Sequence, residues 1–293
     1  TSAIEHHAVS EPIKFLEKFG FKSTTVKVDK FGLVDPADVK KAITDKTVLV
    51  SIMHANNEIG TIQPIAEIGK ICHEKEIYFH TDAVQTVGHI PVSVDELNVD
   101  LLSLSAHKFY GPKGVGALYV RKGTRMGRFL HGGDQEHGKR ASTHNTTGIV
   151  GLGKAINLCR VRMSQEQKFQ TALRDKIIKI LPEKITEIIL NGDAQKRLPN
   201  NVNFSIKYIE GESILLNLDR LGIAASTGSA CTSSSLEPSH VMLAIGLSHE
   251  VAHGSLRITL GRWSTEEEID YFLEELPKVV SKLRAMSPLY PGP

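Results

Sequence analysis

Lys108 stands in Ser105-Ala106-His107-Lys108-Phe109-Tyr110-Gly111-Pro112-Lys113-Gly114, directly after an apolar run and before a turn rich in Gly and Pro. At the carboxyl end of a buried strand an amine can lose hydration and its proton, which suits Schiff-base chemistry. A solvated loop lysine fits the same residues. Asp82 closes the apolar run Tyr78-Phe79-His80-Thr81, a place where an unpaired carboxylate is costly. A buried cation such as a protonated pyridine nitrogen would satisfy it; so would a structural salt bridge or an N-cap. His54-Ala55-Asn56-Asn57-Glu58-Ile59-Gly60 follows another apolar run, and its paired amides can bond a phenolic oxygen or form ordinary Asx turns. His6 is either a packing histidine or an aromatic plate against a ring. Each residue alone says little. Four strand ends carrying His6, Asn57, Asp82 and Lys108 on one face together imply a planar, charged heteroaromatic cofactor.

Two further residues extend that chemistry. Arg257 lies in Ser255-Leu256-Arg257-Ile258-Thr259-Leu260, where a mid-strand cation wants a planar anion. A substrate carboxylate held by a two-pronged bond fits, and an internal salt bridge competes. Cys231 lies in Ser226-Thr227-Gly228-Ser229-Ala230-Cys231-Thr232-Ser233-Ser234-Ser235, whose small polar residues read as an exposed, mobile loop. Free cysteines are usually buried, which makes such a thiol unusual. Cys72 and Cys159 fall in amphipathic patterns and read as inert core thiols.

The elements that must position these residues alternate. Strands are predicted at 24–28, 47–53, 78–81, 101–105 and 116–120, and helices at 9–19, 36–44 and 65–74. In the last of these, Ile65, Ile68, Ile71 and Cys72 share one face. Pro36 and Pro64 stand where helices like to begin. Such alternation favours parallel strands between helical layers, with ligands at the strands' carboxyl ends. A long helical stretch, with a break allowed, covers 148–184. Beyond it come strands near 187–190, 202–206, 223–226 and 255–260, and helices at 212–221 and 264–286. Ser264 and Glu267 fit a capping box, and Pro277 should kink or interrupt the last helix. This half reads as a smaller α+β domain.

The 293 residues carry a formal charge of only +2 with 41% hydrophobic residues, a globular composition. Without a Lys/Arg block there is no reason to expect nucleic acid or anionic lipid as the main partner. No apolar run approaches the roughly 20 residues of a membrane helix. Three scattered cysteines build neither a disulfide framework nor a zinc cluster, and a reducing cytoplasm is the simplest home. Thr1-Ser2-Ala3-Ile4 reads as the end of a strand, so a preceding segment is expected.

In this order, Glu5-His6, the stretch from His54 to Gly60, Asp82-Ala83-Val84-Gln85, Ser105-Ala106-His107-Lys108, Gly111 to Gly116, His131-Gly132-Gly133, Ser229-Ala230-Cys231-Thr232 and Leu256 to Gly261 resemble the cysteine desulfurases of the NifS/IscS type. These are class V aminotransferases with the fold-type I pyridoxal-phosphate architecture. The resemblance implies an α/β large domain over 1–155, with a mainly parallel, seven-stranded type of sheet lacking its N-terminal part here. It implies a small α+β domain over 156–293 carrying the cysteine loop. Lys108 would bind pyridoxal 5'-phosphate covalently, Asp82 would pair with its ring nitrogen, and His6 would stack on the ring. Asn57 and Gln85 would bond its phenolic oxygen, with Asn57 also near the substrate. Ser105 and His107 would hold the phosphate, helped by Thr143 from the other subunit of a homodimer, and Arg257 would clamp the substrate carboxylate.

The implied reaction turns L-cysteine into L-alanine, with sulfur carried as a persulfide on Cys231 to an iron–sulfur scaffold protein or another acceptor. Cys231 could also serve as a transient iron–sulfur ligand; no structural metal is implied. The chain departs from the family pattern at Asp134, which replaces a Gly, and at Ala141-Ser142-Thr143, which replaces Ser-Gly-Thr. Selenocysteine lyase, and a non-catalytic scaffold-binding module, are the competing readings.

Overall fold

The computed structural model of the chain describes residues 1–228 and 237–292. The first sheet has the order β1 (Leu49–Ser51), β2 (Tyr78–Asp82), β3 (Leu101–Ser105), β4 (Gly116–Val120). β1, β2 and β3 run parallel and β4 runs antiparallel to β3, with Ser105 opposite Gly116. Helix α1 (His7–Glu17) precedes the sheet, as does α2 (Pro36–Ala42), which Asp35 caps by accepting from Ala37 N–H at 2.8 Å. α3 (Ile65–Glu74) connects β1 to β2 and turns Ile65, Ile68 and Cys72 inward. Its face packs with Val50, Ile52, Phe79, Leu102 and Phe109 into one apolar core. Burying such side chains drives this layer together at roughly 25 cal/mol per Å².

The second sheet is antiparallel, β5 (Ile188–Leu190), β6 (Asn201–Ile206), β7 (Ser255–Thr259), with β6 central. α4 (Thr146–Lys184) links the two sheets as one continuous helix. With α5 (Gly211–Asp219) and α8 (Glu266–Met286) it covers the second core, built on Ile177, Leu181, Val202, Phe204, Leu256 and Leu276. A third, smaller cluster joins Ile4, Met53 and Ile59 to Val241, Met242 and Ala252, and so seats α6 (His240–Ala244) and α7 (His249–His253) on the first half of the chain.

Several expectations need correction. Residues 24–28 form no strand; Val26 bridges Ser2 in parallel and Val28 bridges Val34 antiparallel, and two isolated bridges to different partners do not make a ladder. Residues 223–226 reduce to one bridge, Ser226 to Arg257. The capping box sits one residue later, on Thr265 and Glu268, because Ser264 is occupied in accepting Gly261 N–H at 3.0 Å. α8 runs on through Pro277. Proline lacks the N–H that Leu273 O would otherwise accept, and Lys184 Nζ donates to that carbonyl instead, at 3.0 Å. Among the described residues no helix is long and apolar enough to cross a membrane.

Candidate active site

The carboxyl ends of β1, β2 and β3 bring the chemistry-bearing residues together. Asp82, the last residue of β2, is 7% exposed, and its Oδ1 accepts Val84 N–H at 2.9 Å. His6 is half-buried at the start of α1 and caps that helix by accepting Ala8 N–H on Nδ1 at 3.0 Å. Burial lowers its pKa, Asp82 opposes that shift, and the charge of Lys108 adds to it. One ring therefore senses both the carboxylate that closes β2 and the amine that follows β3. An accepting Nδ1 and a depressed pKa both describe a neutral imidazole.

Lys108 sits in the 3₁₀ turn Ala106–Phe109 that continues β3. Ala106 and Phe109 point into the core, so His107 and Lys108 face outward. Lys108 is therefore exposed rather than desolvated: the turn carries it past the end of the strand. Two contacts that the sequence reading missed frame the turn. His89 Nε2 donates to the Lys108 carbonyl at 3.0 Å. Tyr110, left-handed at φ 68°, accepts Arg262 N–H on its hydroxyl at 2.8 Å and carries the Arg262 guanidinium 4.3 Å from its ring centroid. Glu166 of α4 pairs with that guanidinium at 2.5 Å. Ser105 Oγ and His107 Nδ1 lie 2.8 Å apart at the top of β3.

The turn after β1 divides its paired amides between two tasks. Asn56 is structural: its Oδ1 accepts from Glu58 N–H and Ile59 N–H at 2.8 and 3.0 Å, and its Nδ2 donates to Ile4 O. Gly60 closes the turn at φ 75°, where a Cβ would also come within 2.6 Å of Asn201 Oδ1. Asn57 is half-exposed, and its carbonyl accepts from Arg257 Nη1 at 3.0 Å. Arg257 reaches it from the middle of β7 and also donates from Nε to Ser226 Oγ at 2.9 Å. Arg257 also faces an acid: its charge lowers the pKa of Glu58, against the larger effect of burial. Gln85 is half-buried three residues beyond Asp82.

Thr143 lies elsewhere, exposed in the stretch between β4 and α4. There Asp134 pairs with Arg128 at 2.9 Å, and Ser142 takes φ 83°, a left-handed conformation in which glycine is at ease and serine is strained. Cys231 lies outside the described residues. Cys72 and Cys159 are free and buried, and burial pushes the Cys72 thiol up to about 12. Neither is suited to act as a nucleophile.

Residues 1–272 match the family model of the class-V aminotransferases. The cysteine desulfurase IscS of Dictyoglomus turgidum is 60% identical over 98% of this chain and 73% of its own length. That of Methanosarcina thermophila is 57% identical over 99% of this chain and 72% of its own length. A solved NifS-like protein superposes with a TM-score of 0.89 at 40% identity, covering 96% of this chain and 74% of that one. SspA in complex with cysteine gives 0.76 at 37% identity, covering 90% and 73%. The chain belongs to the class-V aminotransferases, among their cysteine desulfurases. It has the fold-type I architecture of that family and, like it, depends on pyridoxal phosphate.

The residues present fit that group. A buried carboxylate, an outward primary amine and a neutral imidazole occupy one electrostatic neighbourhood. They match the ring nitrogen, the aldehyde and the face of the cofactor. A hydroxyl and an imidazole, from Ser105 and His107, stand at the adjoining strand end, where groups of this kind could hold a phosphate.

Proposed function

We propose that this cysteine desulfurase moves the sulfur of L-cysteine onto Cys231, leaving L-alanine, and passes it as a persulfide to an acceptor for iron–sulfur cluster assembly. Lys108 Nζ is the covalent anchor of the cofactor and the base that takes the substrate's α-proton. Asp82, buried at the end of β2, would pair with the cofactor's ring nitrogen. The bound cofactor supplies an electron sink for the charge left when that α-proton leaves. His6 covers the ring, Asn57 and Gln85 bond the phenolic oxygen, and Ser105, His107 and the partner subunit's copy of Thr143 hold the phosphate. Arg257, oriented by Ser226 Oγ and the Asn57 carbonyl, takes the substrate carboxylate in a forked bond.

The Cys231 thiolate then attacks the substrate sulfur. A sulfur–sulfur bond forms, the substrate's carbon–sulfur bond breaks, and its electron pair stays with the carbon that becomes the methyl group of alanine after protonation. We assign residues 1–155 to the cofactor-binding domain and 156–293 to the small domain, so that α4 crosses the boundary. A cytoplasmic homodimer completes the reading.

The observation that carries it is the convergence, at the carboxyl ends of three parallel strands, of buried Asp82 closing β2, Lys108 in the turn after β3, and Asn57 after β1 with Arg257 bonded to its carbonyl. The test is made on cofactor-loaded protein given L-cysteine. The expected result is one added sulfur on the Cys231 peptide for each alanine released, and loss of both in Cys231→Ser. Alanine formation undiminished in Cys231→Ser would overturn it.

A further inference from the structure

Glu58 is a buried carboxylate that the reaction above does not use. It is 1% exposed and follows Asn57 in the turn after β1. Groups from the far half of the chain hold it at both ends. Its carbonyl accepts from Asn201 Nδ2 at 3.2 Å and Asn203 Nδ2 at 3.1 Å, both from β6. Its Oε2 accepts from Ser239 Oγ at 2.5 Å. The same oxygen lies against Gly228, where an added Cβ would stand only 2.5 Å from it. Gly228 and Ser239 flank the stretch that contains Cys231, which lies three residues past Gly228 in the chain. One residue back from Glu58, the Asn57 carbonyl orients Arg257 at 3.0 Å.

We propose that Glu58 is a positioning residue for sulfur transfer: its carboxylate fixes both ends of the Cys231-bearing stretch against the turn that also orients Arg257. The proposal rests on the reading of Cys231 as the sulfur acceptor. A carboxylate suits this place because it presents acceptors only. One oxygen takes the Ser239 hydroxyl while lying flush against a glycine, with no N–H to satisfy there. Taking that charge out of water costs several kcal/mol. A hydrogen bond alone could be had from a neutral residue, and the neighbouring Arg257 charge offsets part of the burden. The substrate carboxylate on Arg257 and the two described ends of the Cys231-bearing stretch, Gly228 and Ser239, would thus be referenced to consecutive residues of one turn. Displacements of about 1 Å from such a reference cost up to ~100-fold in rate.

The test uses the complete, cofactor-loaded enzyme and reads two quantities: the KM for L-cysteine, and the single-turnover rate at which sulfur appears on Cys231. In Glu58→Ala and in Gly228→Ala, where the new methyl displaces the carboxylate, sulfur arrival should slow about 10- to 100-fold. KM and the cofactor's absorbance should stay near those of the parent enzyme. Glu58→Gln keeps an acceptor for Ser239 but brings an NH2 group into a place that suits acceptors only, and should recover part of the rate lost in Glu58→Ala. Glu58→Ala combined with Gly228→Ala should be no slower than the slower single variant, because both act on one contact. Should Glu58→Ala fail to fold, Ser239→Ala and Ser239→Thr carry the test. The first is expected to be slow and the second close to the parent, since threonine keeps the hydroxyl that both binds Glu58 and caps α6.

An unchanged rate in the folded variants overturns the proposal. So do a rate loss matched by loss of cofactor absorbance and additive effects in the double variant. Retained sulfur transfer in Cys231→Ser would instead overturn the reading of Cys231, whatever the Glu58 variants do.

Discussion

The parallel strands β1 to β3 and the antiparallel strands β5 to β7 spend their polar residues in opposite ways. At the ends of β1, β2 and β3, Asn57 and Gln85 are half-exposed and His107 and Lys108 are turned outward, so these residues sit at the rim of a core they do not hold together. In β6 every residue is buried. Val202, Phe204 and Ile206 enter the second core, while Asn203 and Ser205 are bonded to Asn191, and Asn201 and Asn203 to the Glu58 carbonyl. Parallel strands end together on one side, which concentrates functional groups there. The central antiparallel strand instead alternates an apolar face and a polar one, and here the polar face is used to grip the turn after β1. Function at the rim is separable from stability; function carried through β6 is not.

The comparison breaks most sharply in a crossed pair of variants. Lys108→Ala should cut turnover by ~10²–10⁴-fold or more while leaving the urea midpoint unchanged, because the side chain is exposed. Phe204→Ala, at a residue 1% exposed, should cost about 3–5 kcal/mol in a urea titration. A stability loss in the first, or none in the second, would undo the distinction.

Protonation sharpens it next. Burial holds the His54 imidazole down at about 4, below its ordinary value of 6.5, and raises Glu5 to about 7 from 4.5. The folded state therefore binds fewer protons than the unfolded chain at His54 between pH 6.5 and 4, and more at Glu5 between pH 4.5 and 7. His54 stabilises the fold above pH 6.5 and loses that contribution as pH falls toward 4. Glu5 contributes below pH 4.5 and loses its contribution as pH rises through 7. The two oppose one another. Glu5→Gln should make the unfolding free energy fall on acidification from pH 6.5 to 4, by an amount of order 3 kcal/mol. His54→Asn should flatten or reverse that trend. Parallel pH profiles for the two variants would contradict the assignment.

A smaller effect belongs to Arg257, the one proposed site residue that comes from the antiparallel sheet. Arg257→Lys keeps the charge and loses the fork. KM for L-cysteine should rise about 10-fold or more, as expected for a charged hydrogen bond worth roughly 1.5–3 kcal/mol, with kcat little changed. The smallest expected change is Thr265→Ala, which removes half of the α8 capping box and should cost about 1 kcal/mol in thermal or urea unfolding.

Much of this was legible in the chain. The bounds of β3, β4 and α3 follow from apolar runs with the right period, and the residues at the ends of the parallel strands follow from where those runs stop. The degenerate signals failed. Ser264 and Thr265 each precede a glutamate by three residues, and only the turn at Gly261 decides which of them caps α8. Residues 24–28 have strand composition but make only two isolated bridges, Val26 to Ser2 and Val28 to Val34. The short helices α6 and α7, five residues each, were missed because they are too brief to show a period.

Residue type and local order determined by themselves the alternation of elements and the family, and they singled out Lys108, Asp82, His6 and Arg257 as candidates, because burial periodicity and motif chemistry are written over a few neighbouring positions. Tertiary structure alone decided that Lys108 points outward, that His89 and Arg262 frame its turn, and that Glu58 meets Ser239 and Gly228. Those contacts join residues up to 181 positions apart. No local pattern encodes them, since they exist only once two separate sheets have buried their faces and brought the turns between them together.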